Sequence, residues 1–143
     1  MKIGLICRCK DEYFINEFVN YYINEGVDYL YIIDDDSTDK TIYDNLLKNS
    51  KVKIIFERNI IDTNYANKLY KKIRGKYDWI IYVDVDEFIT TNQKHPHKNI
   101  RQELLSTFKH SHCIKIPWVM MSCNSLEESP QSILKTKDYY LDF

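Results

Sequence analysis

The sequence predicts an α/β fold in which a mostly parallel open sheet is flanked by helices. Short apolar runs alternate along the chain with segments whose apolar residues recur at helical spacing. Alternation of this kind is typical of parallel strands joined by right-handed crossovers. The run WIIYV, Trp79 to Val83, is apolar throughout, as expected of a strand covered on both faces. With 143 residues, the chain is expected to form one domain around a single core.

The first part of the chain predicts a βαβα order. A strand from Lys2 to Cys9 precedes a helix whose apolar residues run from Phe14 to Ile23. Gly26 is a typical C-terminal stop for that helix. Tyr29 to Ile33 is the second strand, and Ser37 to Leu47 is the second helix, because its first residues are of the N-cap type.

The middle of the chain continues the alternation. Val52 to Phe56 is the third predicted strand, and Asn64 to Arg74 is a helix with its apolar residues on one side. Gly75 is expected to end this helix. Trp79 to Val83 then forms the fourth strand.

Less regular structure is expected after the fourth strand. Glu87 to Ile89 is predicted to be a short extended piece, and Thr90 to Lys98 a polar surface loop. A helix from about Asn99 to Lys109 and a strand from Cys113 to Trp118 follow, with Trp118 expected in the core. The rest, from Val119 to Phe143, has little periodic order.

Two aspartates follow the fourth strand directly. Asp84 and Asp86 in VDVDEF lie at or just past its C-terminal end, where open α/β sheets bind ligands. Two carboxylates at this spacing can hold a hard divalent cation through oxygen, and the expected partner of that cation is a phosphate. The alternative is that both acids only terminate the strand and are solvated, the usual environment of aspartate.

Polar clusters follow three of the predicted strands, and sheet geometry is expected to place them side by side. A basic residue, an acid-rich loop and a pair of metal-binding carboxylates suit a nucleoside diphosphate. The clusters are Arg8, Lys10, Asp11 and Glu12 after the first strand, Asp34 to Asp39 after the second, and Asp84 to Glu87 after the fourth.

Charge and composition exclude several classes. The formal net charge is −1, so no global field attracts nucleic acid or an anionic membrane, and no nucleic-acid partner is expected. The N-terminal apolar stretch is too short for a signal peptide, and no run approaches the ~20 apolar residues of a membrane span. The sequence therefore predicts a soluble, cytoplasmic protein.

The thiols and imidazoles do not predict a metal centre. The cysteines show no CxxC spacing and are expected to be free and largely buried. Zinc ligation by the histidines is the alternative, but the ligand spacing of a structural zinc site is absent, which favours solvated histidines. The residues concerned are Cys7, Cys9, Cys113, Cys123, His95, His97, His110 and His112.

Motifs in a fixed order carry a family resemblance. They are CRCKDE, NEGVDYLYIIDDDSTDKT, WIIYVDVDEF and IKIPWVMM. In this order the chain resembles the glycosyltransferases of GT-A fold related to families 2 and 92, closely over about residues 5–89 and more loosely to Trp118. The resemblance implies a Rossmann-like donor-binding domain that uses Mn²⁺ or Mg²⁺. It also implies inverting transfer of a sugar from a nucleotide-diphosphate donor, expected to be a UDP-sugar, to a glycan or another hydroxyl acceptor.

The resemblance also implies roles for the acids. Asp84 is similar to the first acid of the DXD motif, near the ribose and the metal-bound waters. Asp86 is similar to the direct metal ligand, so both aspartates are candidate metal residues, and Glu87 is similar to the acid that supports them. Asp35, with Asp34 as the competing choice, is similar to the acid that receives the uracil ring.

The first-strand turn is implied to line the nucleotide through Arg8, Lys10 and Glu12. Structural alternatives stay open for two parts of the predicted site. Glu12 is also expected at a helix start on account of the macrodipole, and Ser37 to Thr41 is also expected to cap a helix.

The resemblance implies a C-terminal half with acceptor contacts and a catalytic base. The chain ends at Phe143, so we expect residues 1–143 to be a donor-binding domain that is incomplete on the acceptor side. Glu127 and Glu128 are the candidate bases, although loop solvation explains them equally well. A nucleotide-sugar-binding or assembly module without full transferase activity is the alternative function, and a homodimer is expected to cover an exposed sheet edge.

A phosphatase of the haloacid dehalogenase type, with the aspartates of the DVD motif as nucleophile and acid, is a weaker alternative. Such enzymes place that motif after their first strand. Here it follows the fourth.

Overall fold

A parallel sheet of four strands forms the centre of the computed structural model, which describes residues 1–57, 64–91, 98–119 and 132–134. Within those ranges the strands are β1 (Ile3–Cys9), β2 (Tyr29–Asp35), β3 (Val52–Glu57) and β4 (Trp79–Tyr82). The helices are α1 (Ile15–Asn24), α2 (Asn64–Ile73) and α3 (Ile100–Leu105). The predicted α/β fold with a parallel sheet flanked by helices is confirmed.

The strand order is β3-β2-β1-β4, with every neighbouring pair parallel. The chain steps outward from β1 through β2 to β3, and then returns so that β4 pairs with the other side of β1. The direction of winding therefore reverses between β1 and β4. In open α/β sheets the crevice outside the carboxyl ends of the strands, at such a switch point, is where ligands bind.

Each face of the sheet is covered by helices. Side chains alternate between the faces along each strand, so Leu5 and Cys7 pack on the α1 side while Ile6 packs on the α2 side. The α1 side contains most of the core, including Phe18, Val19, Tyr22, Leu46, Ile100 and Leu104. The α2 side is a smaller cluster of Ile6, Tyr31, Ile33, Leu69 and Ile73.

Gly26 ends α1, as predicted, and the structure shows why a glycine is needed. Its φ is +95°, and its N–H donates to the carbonyl of Ile23 while the N–H of Val27 donates to that of Tyr22. A Cβ at this position would lie 2.7 Å from the Cβ of Arg101. The site therefore excludes a side chain both by conformation and by space.

Arg101 of α3 ties down the amino ends of β1 and β2. Its guanidinium donates to the carbonyls of Gly26 and Met1 and to the Asp28 carboxylate, at 2.6 to 2.8 Å through its Nη atoms. The same carboxylate accepts from the N–H of Ile3. The last helix is thereby fixed at the edge of the sheet opposite to the carboxyl ends.

The predicted helix from Ser37 to Leu47 is wrong. Two short 3₁₀ turns, Thr41–Tyr43 and Leu46–Lys48, occupy this segment. The Asp39 carboxylate accepts from both the N–H and the hydroxyl of Thr41, a local bond that competes with an α-helical start. Two buried side chains, Tyr43 and Leu46, are enough to hold these short turns on the sheet.

The final predicted elements are only partly formed. The helix after Asn99 is confirmed but shorter, because it begins at a capping box of Asn99 and Gln102 and ends where the Ser106 hydroxyl donates to the Gln102 carbonyl. Residues 113–118, all described, form no strand. Pro117 offers no N–H to a ladder, and Trp118 is 77% exposed, so its prediction as a core residue is wrong.

The structure describes no helix with the length and apolar character that a bilayer crossing requires. Cys7 and Cys9 are buried free thiols as predicted, whereas the free thiol of Cys113 is exposed. His110 and His112 are exposed, as expected of solvated histidines. The remaining candidates, His95, His97 and Cys123, lie outside the described residues.

Candidate functional site

The turns that follow β1 and β2 meet at the carboxyl edge of the sheet, as the sequence predicts. Arg8 Nη2 donates to Asp35 Oδ2 over 2.6 Å, across two neighbouring strands. Both side chains lie on the α2 side, because Arg8 alternates with Cys7 along β1 and Asp35 with Asp34 along β2. Asp35 and Arg8, both predicted to contact the nucleotide, therefore form an ion pair with each other.

Asp11 joins the same two turns more extensively. Its backbone N–H donates to Ser37 Oγ over 3.0 Å, and its Oδ1 accepts from the N–H and hydroxyl of Thr38 at 2.7 and 2.8 Å. The two bonds from Thr38 lower the pKa of the Asp11 carboxyl. Both Asp11 and Asp36 have positive φ, 54° and 58°, a conformation that aspartate tolerates better than most residues. The two turns thus form one interlocked unit.

Asp34 is a structural acid in this arrangement. Its side chain is fully buried, and it accepts from Lys40 Nζ and from the Tyr43 hydroxyl, each over 2.7 Å. Burial opposes ionisation, but the hydrogen bonds from Lys40, Ser37 and Tyr43 outweigh it and lower the pKa of Asp34. Of the two candidates for base recognition, Asp35 is the one nearer solvent, at 19% exposed.

The segment after β4 presents two carboxylates to solvent. Val83 and Val85 are buried, at 6% and 4% exposed, and the intervening Asp84 and the following Asp86 are exposed. Burial of alternate valines thus turns both acids outward. The predicted position of Asp84 and Asp86, just past the strand end, agrees with the structure.

Glu87 closes this segment into a turn. Its N–H donates to the Asp84 carbonyl over 3.0 Å, and its Oε2 accepts from the Asp84 N–H over 2.8 Å. The Glu87 carboxylate therefore supports the backbone of the acid pair, which is compatible with the supporting role that the resemblance implies. We refer to Asp84–Glu87 as the acidic turn.

The acidic turn and the β1 turn follow neighbouring parallel strands at the switch point. Burial raises the pKa of Glu12, and the negative charges of Asp86 and Asp11 raise it further. Burial likewise raises the pKa of Tyr82, Asp84 adds to that effect, and the Arg8 guanidinium opposes it. Charges from β1 and β4 therefore act on one another, as expected for adjoining strand ends. Lys10 is exposed at the same edge.

Asp84 and Asp86 suit a divalent cation whose remaining coordination positions are filled by phosphate oxygens and water. Within the described ranges, no group of three or more His, Cys, Asp or Glu side chains is placed to hold a metal ion. Mg²⁺ is characteristically held by one or two carboxylates, with waters and substrate phosphates completing its shell. Asp84 and Asp86 fit that pattern, because they supply hard oxygen ligands and leave the remaining positions to a ligand.

Sequence reasoning missed Tyr21 and Tyr22 of α1. The Tyr22 hydroxyl donates to the Glu87 carbonyl and accepts from the N–H of Ile89, while the Tyr21 hydroxyl donates to the Ile89 carbonyl. Burial raises the pKa of Tyr21 to about 12, so its hydroxyl stays protonated. The apolar spacing of the helix places Tyr22 on its buried side, and a buried tyrosine hydroxyl needs a hydrogen-bond partner. This is the signal in the sequence that could have indicated such a contact.

The candidate bases Glu127 and Glu128 lie outside the described residues.

The chain matches no family model and no curated protein. The interpretation of the edge therefore depends on its own geometry and on the motif resemblance.

Proposed function

We propose that this protein is a metal-dependent glycosyltransferase that moves a sugar from a nucleotide-diphosphate donor, a UDP-sugar, to a hydroxyl acceptor. The observation that supports it most directly is the exposed Asp84 and Asp86 pair at the switch point, beside the cationic residues of the β1 turn. The carboxyl edge at such a switch point is the usual ligand site of open α/β sheets.

Asp84 and Asp86 would hold Mn²⁺ or Mg²⁺ through their carboxylate oxygens. When bound, the cation would neutralise charge that develops on the diphosphate leaving group. Lys10, exposed on the β1 turn, would add positive charge for the same phosphates. Burial is the main cause of the raised pKa of Glu12 and the charge of Asp86 adds to it, so a cation bound by Asp86 would relieve the second of these effects.

The Arg8 and Asp35 pair would contact the nucleobase. Asp35 supplies a hydrogen-bond acceptor and Arg8 supplies donors, so together they complement a base edge that carries both an N–H and a carbonyl oxygen. Uracil has such an edge at N3 and its neighbouring carbonyls. This complementarity is compatible with UDP as the nucleotide of the donor.

In the reaction, an acceptor hydroxyl would attack the anomeric carbon as the bond to the diphosphate breaks, and a carboxylate base would take the hydroxyl proton. Glu127 and Glu128 remain the proposed bases on the strength of the sequence alone. Positioning the donor and stabilising its leaving group supply most of the acceleration in such a scheme.

Calorimetric titration of the whole chain with UDP, in the presence and absence of Mn²⁺, tests the proposal. We expect binding that tightens strongly when the metal is present. Equal affinity under both conditions would contradict metal-assisted diphosphate binding. Turnover with a panel of UDP-sugars then separates a transferase from the binding module, since only a transferase releases UDP in the presence of an acceptor.

A homodimer is a further proposal. Exposed apolar side chains near the β4 edge support it, among them Tyr82 and Ile116. Light scattering that shows a monomer at micromolar concentration would exclude it.

A further inference from the structure

We infer that Tyr21 and Tyr22 of α1 are positioning residues that fix where the acidic turn presents Asp84 and Asp86. The inference depends on the proposed function, because it concerns the same metal site. It adds residues that lie outside the crevice and act through the backbone of the turn.

The first support is the set of hydrogen bonds to the segment just after the acids. Tyr22 OH donates to the Glu87 carbonyl over 2.8 Å and accepts from the Ile89 N–H over 3.1 Å. Tyr21 OH donates to the Ile89 carbonyl over 2.6 Å. These bonds take the place of a strand ladder, because β4 ends at Tyr82 and the bond from Val83 N–H to the Ile6 carbonyl is already long at 3.3 Å.

The second support is the packing around the same hydroxyls. Phe88, which follows the turn, stacks on Tyr22 with an interplanar angle of 11° and meets Tyr21 edge-on at a centroid distance of 5.1 Å. Phe18 packs against both Tyr22 and Phe88. Tyr22 is fully buried, so its hydroxyl has no bulk water to replace the backbone groups it contacts.

The tyrosine contacts hold the C-terminal end of the acidic turn, and hydrogen bonds within the turn hold its N-terminal end. Glu87 binds the Asp84 backbone in both directions, and Val85 is held in the core. The backbone that carries Asp84 and Asp86 is therefore braced by α1 while their carboxylates extend into solvent. Groups that orient metal ligands from behind typically change metal affinity when they are lost.

The test uses Tyr22→Phe in the whole chain, with Tyr31→Phe as the matched control. Tyr31 is a buried tyrosine whose hydroxyl contacts that of Tyr77 on the α2 side, away from the acidic turn. For Tyr22→Phe we expect UDP affinity in Mn²⁺ to fall by about tenfold, with UDP affinity in the absence of metal unchanged. Amide exchange at Ile89 should also become faster. The control should show none of these effects.

A purely structural role would weaken UDP binding with and without metal alike, and that result would overturn the inference. It would also be overturned if Tyr22→Phe left the Ile89 amide or the Mn²⁺-dependent affinity unchanged while the wild type bound Mn²⁺ and UDP. A wild type without metal-dependent binding would overturn the proposed function and, with it, this role. If Tyr22→Phe does not fold, UDP binding with and without Mn²⁺ is compared for Tyr21→Phe. Tyr21 is half-buried, and the substitution removes its bond to the Ile89 carbonyl.

Discussion

The Arg8 guanidinium lies 2.6 Å from the Asp35 carboxylate at the point where β1 and β2 end. The pair is partly exposed, at 37% and 19%, so its own contribution to folding is small, of the order of 0–1 kcal/mol. Its significance is geometric, because it holds a donor and an acceptor side by side at the edge of the proposed site.

Asp86→Asn should abolish the Mn²⁺-dependent part of UDP binding. The substitution keeps the size of the side chain but removes the charge that a hard divalent cation requires. Because Asp86 is exposed, the melting temperature should change little. Calorimetry measures the binding and circular dichroism the melting. Asp44→Asn, which removes an exposed acid outside the three turns, should bind as the wild type does; tight Mn²⁺-dependent binding by Asp86→Asn would contradict its role as ligand.

Asp11→Ala should weaken the contact between the β1 and β2 turns and lower the melting temperature. It removes the acceptor for Thr38 and places alanine at a φ of 54° that alanine adopts poorly. Asp11→Asn keeps an acceptor oxygen and tolerates this conformation, so it should be the milder change. We expect the melting temperatures to fall in the order wild type, Asn, Ala. Equal melting temperatures of the two variants would show that the lost charge, and not the geometry, is what matters at this position.

Asp34→Asn should lower the free energy of unfolding at pH 7 by about 1–3 kcal/mol, since hydrogen bonds to a charged group are lost. The pKa of Asp34 is lowered in the folded protein, so the unfolded chain takes up its proton first on acidification. The stabilisation is therefore full above about pH 5 and is lost as the pH falls below about 4.

Urea unfolding of the wild type and of Asp34→Asn at several pH values measures this loss. The difference between the two proteins should shrink at acidic pH. A difference that grows on acidification would contradict the assignment of Asp34 as a buried, ionised acceptor.

Gly26→Ala should destabilise the fold by about 1–2 kcal/mol from the left-handed backbone alone. A further loss is expected because the new Cβ would displace Arg101. Gly75→Ala is the matched control, since a Cβ there has no atom within 4 Å. That control should be neutral or slightly stabilising, by up to about 1 kcal/mol. Equal effects of the two substitutions in urea unfolding would refute the conformational argument for Gly26.

The apolar pattern was sufficient to predict most of the sheet. The predicted bounds of β1, β2, β3 and β4 differ from those of the structure by no more than two residues at any end. Strands of this kind are specified locally, by β-branched and aromatic runs between turn residues. Pattern failed where local bonds compete with the helix, as Asp39 does with Thr41, and where no neighbouring strand takes up the segment, as at residues 113–118.

For the candidate site, the sequence was sufficient to predict that polar residues gather where the strands end, but not which of them contact each other. Sequence order says which residues follow each strand, but strand order decides which turns face each other, and that depends on non-local pairing. The contact of Arg8 with Asp35 and the approach of Glu12 to Asp86 required the structure. The link from Tyr22 to Glu87 spans 65 residues and carries no local signal beyond a tyrosine on the core side of a helix. The metal, the donor and the catalytic bases Glu127 and Glu128 stay predictions.

Arg101 binds Met1, Gly26 and Asp28 at the amino edge of the sheet, the full length of the strands away from the proposed crevice. The contacts of Arg101 and the proposed ligand site therefore lie at opposite ends of the same sheet. Substitutions that strengthen or weaken the Arg101 contacts are therefore expected to leave the geometry of the proposed site almost unchanged.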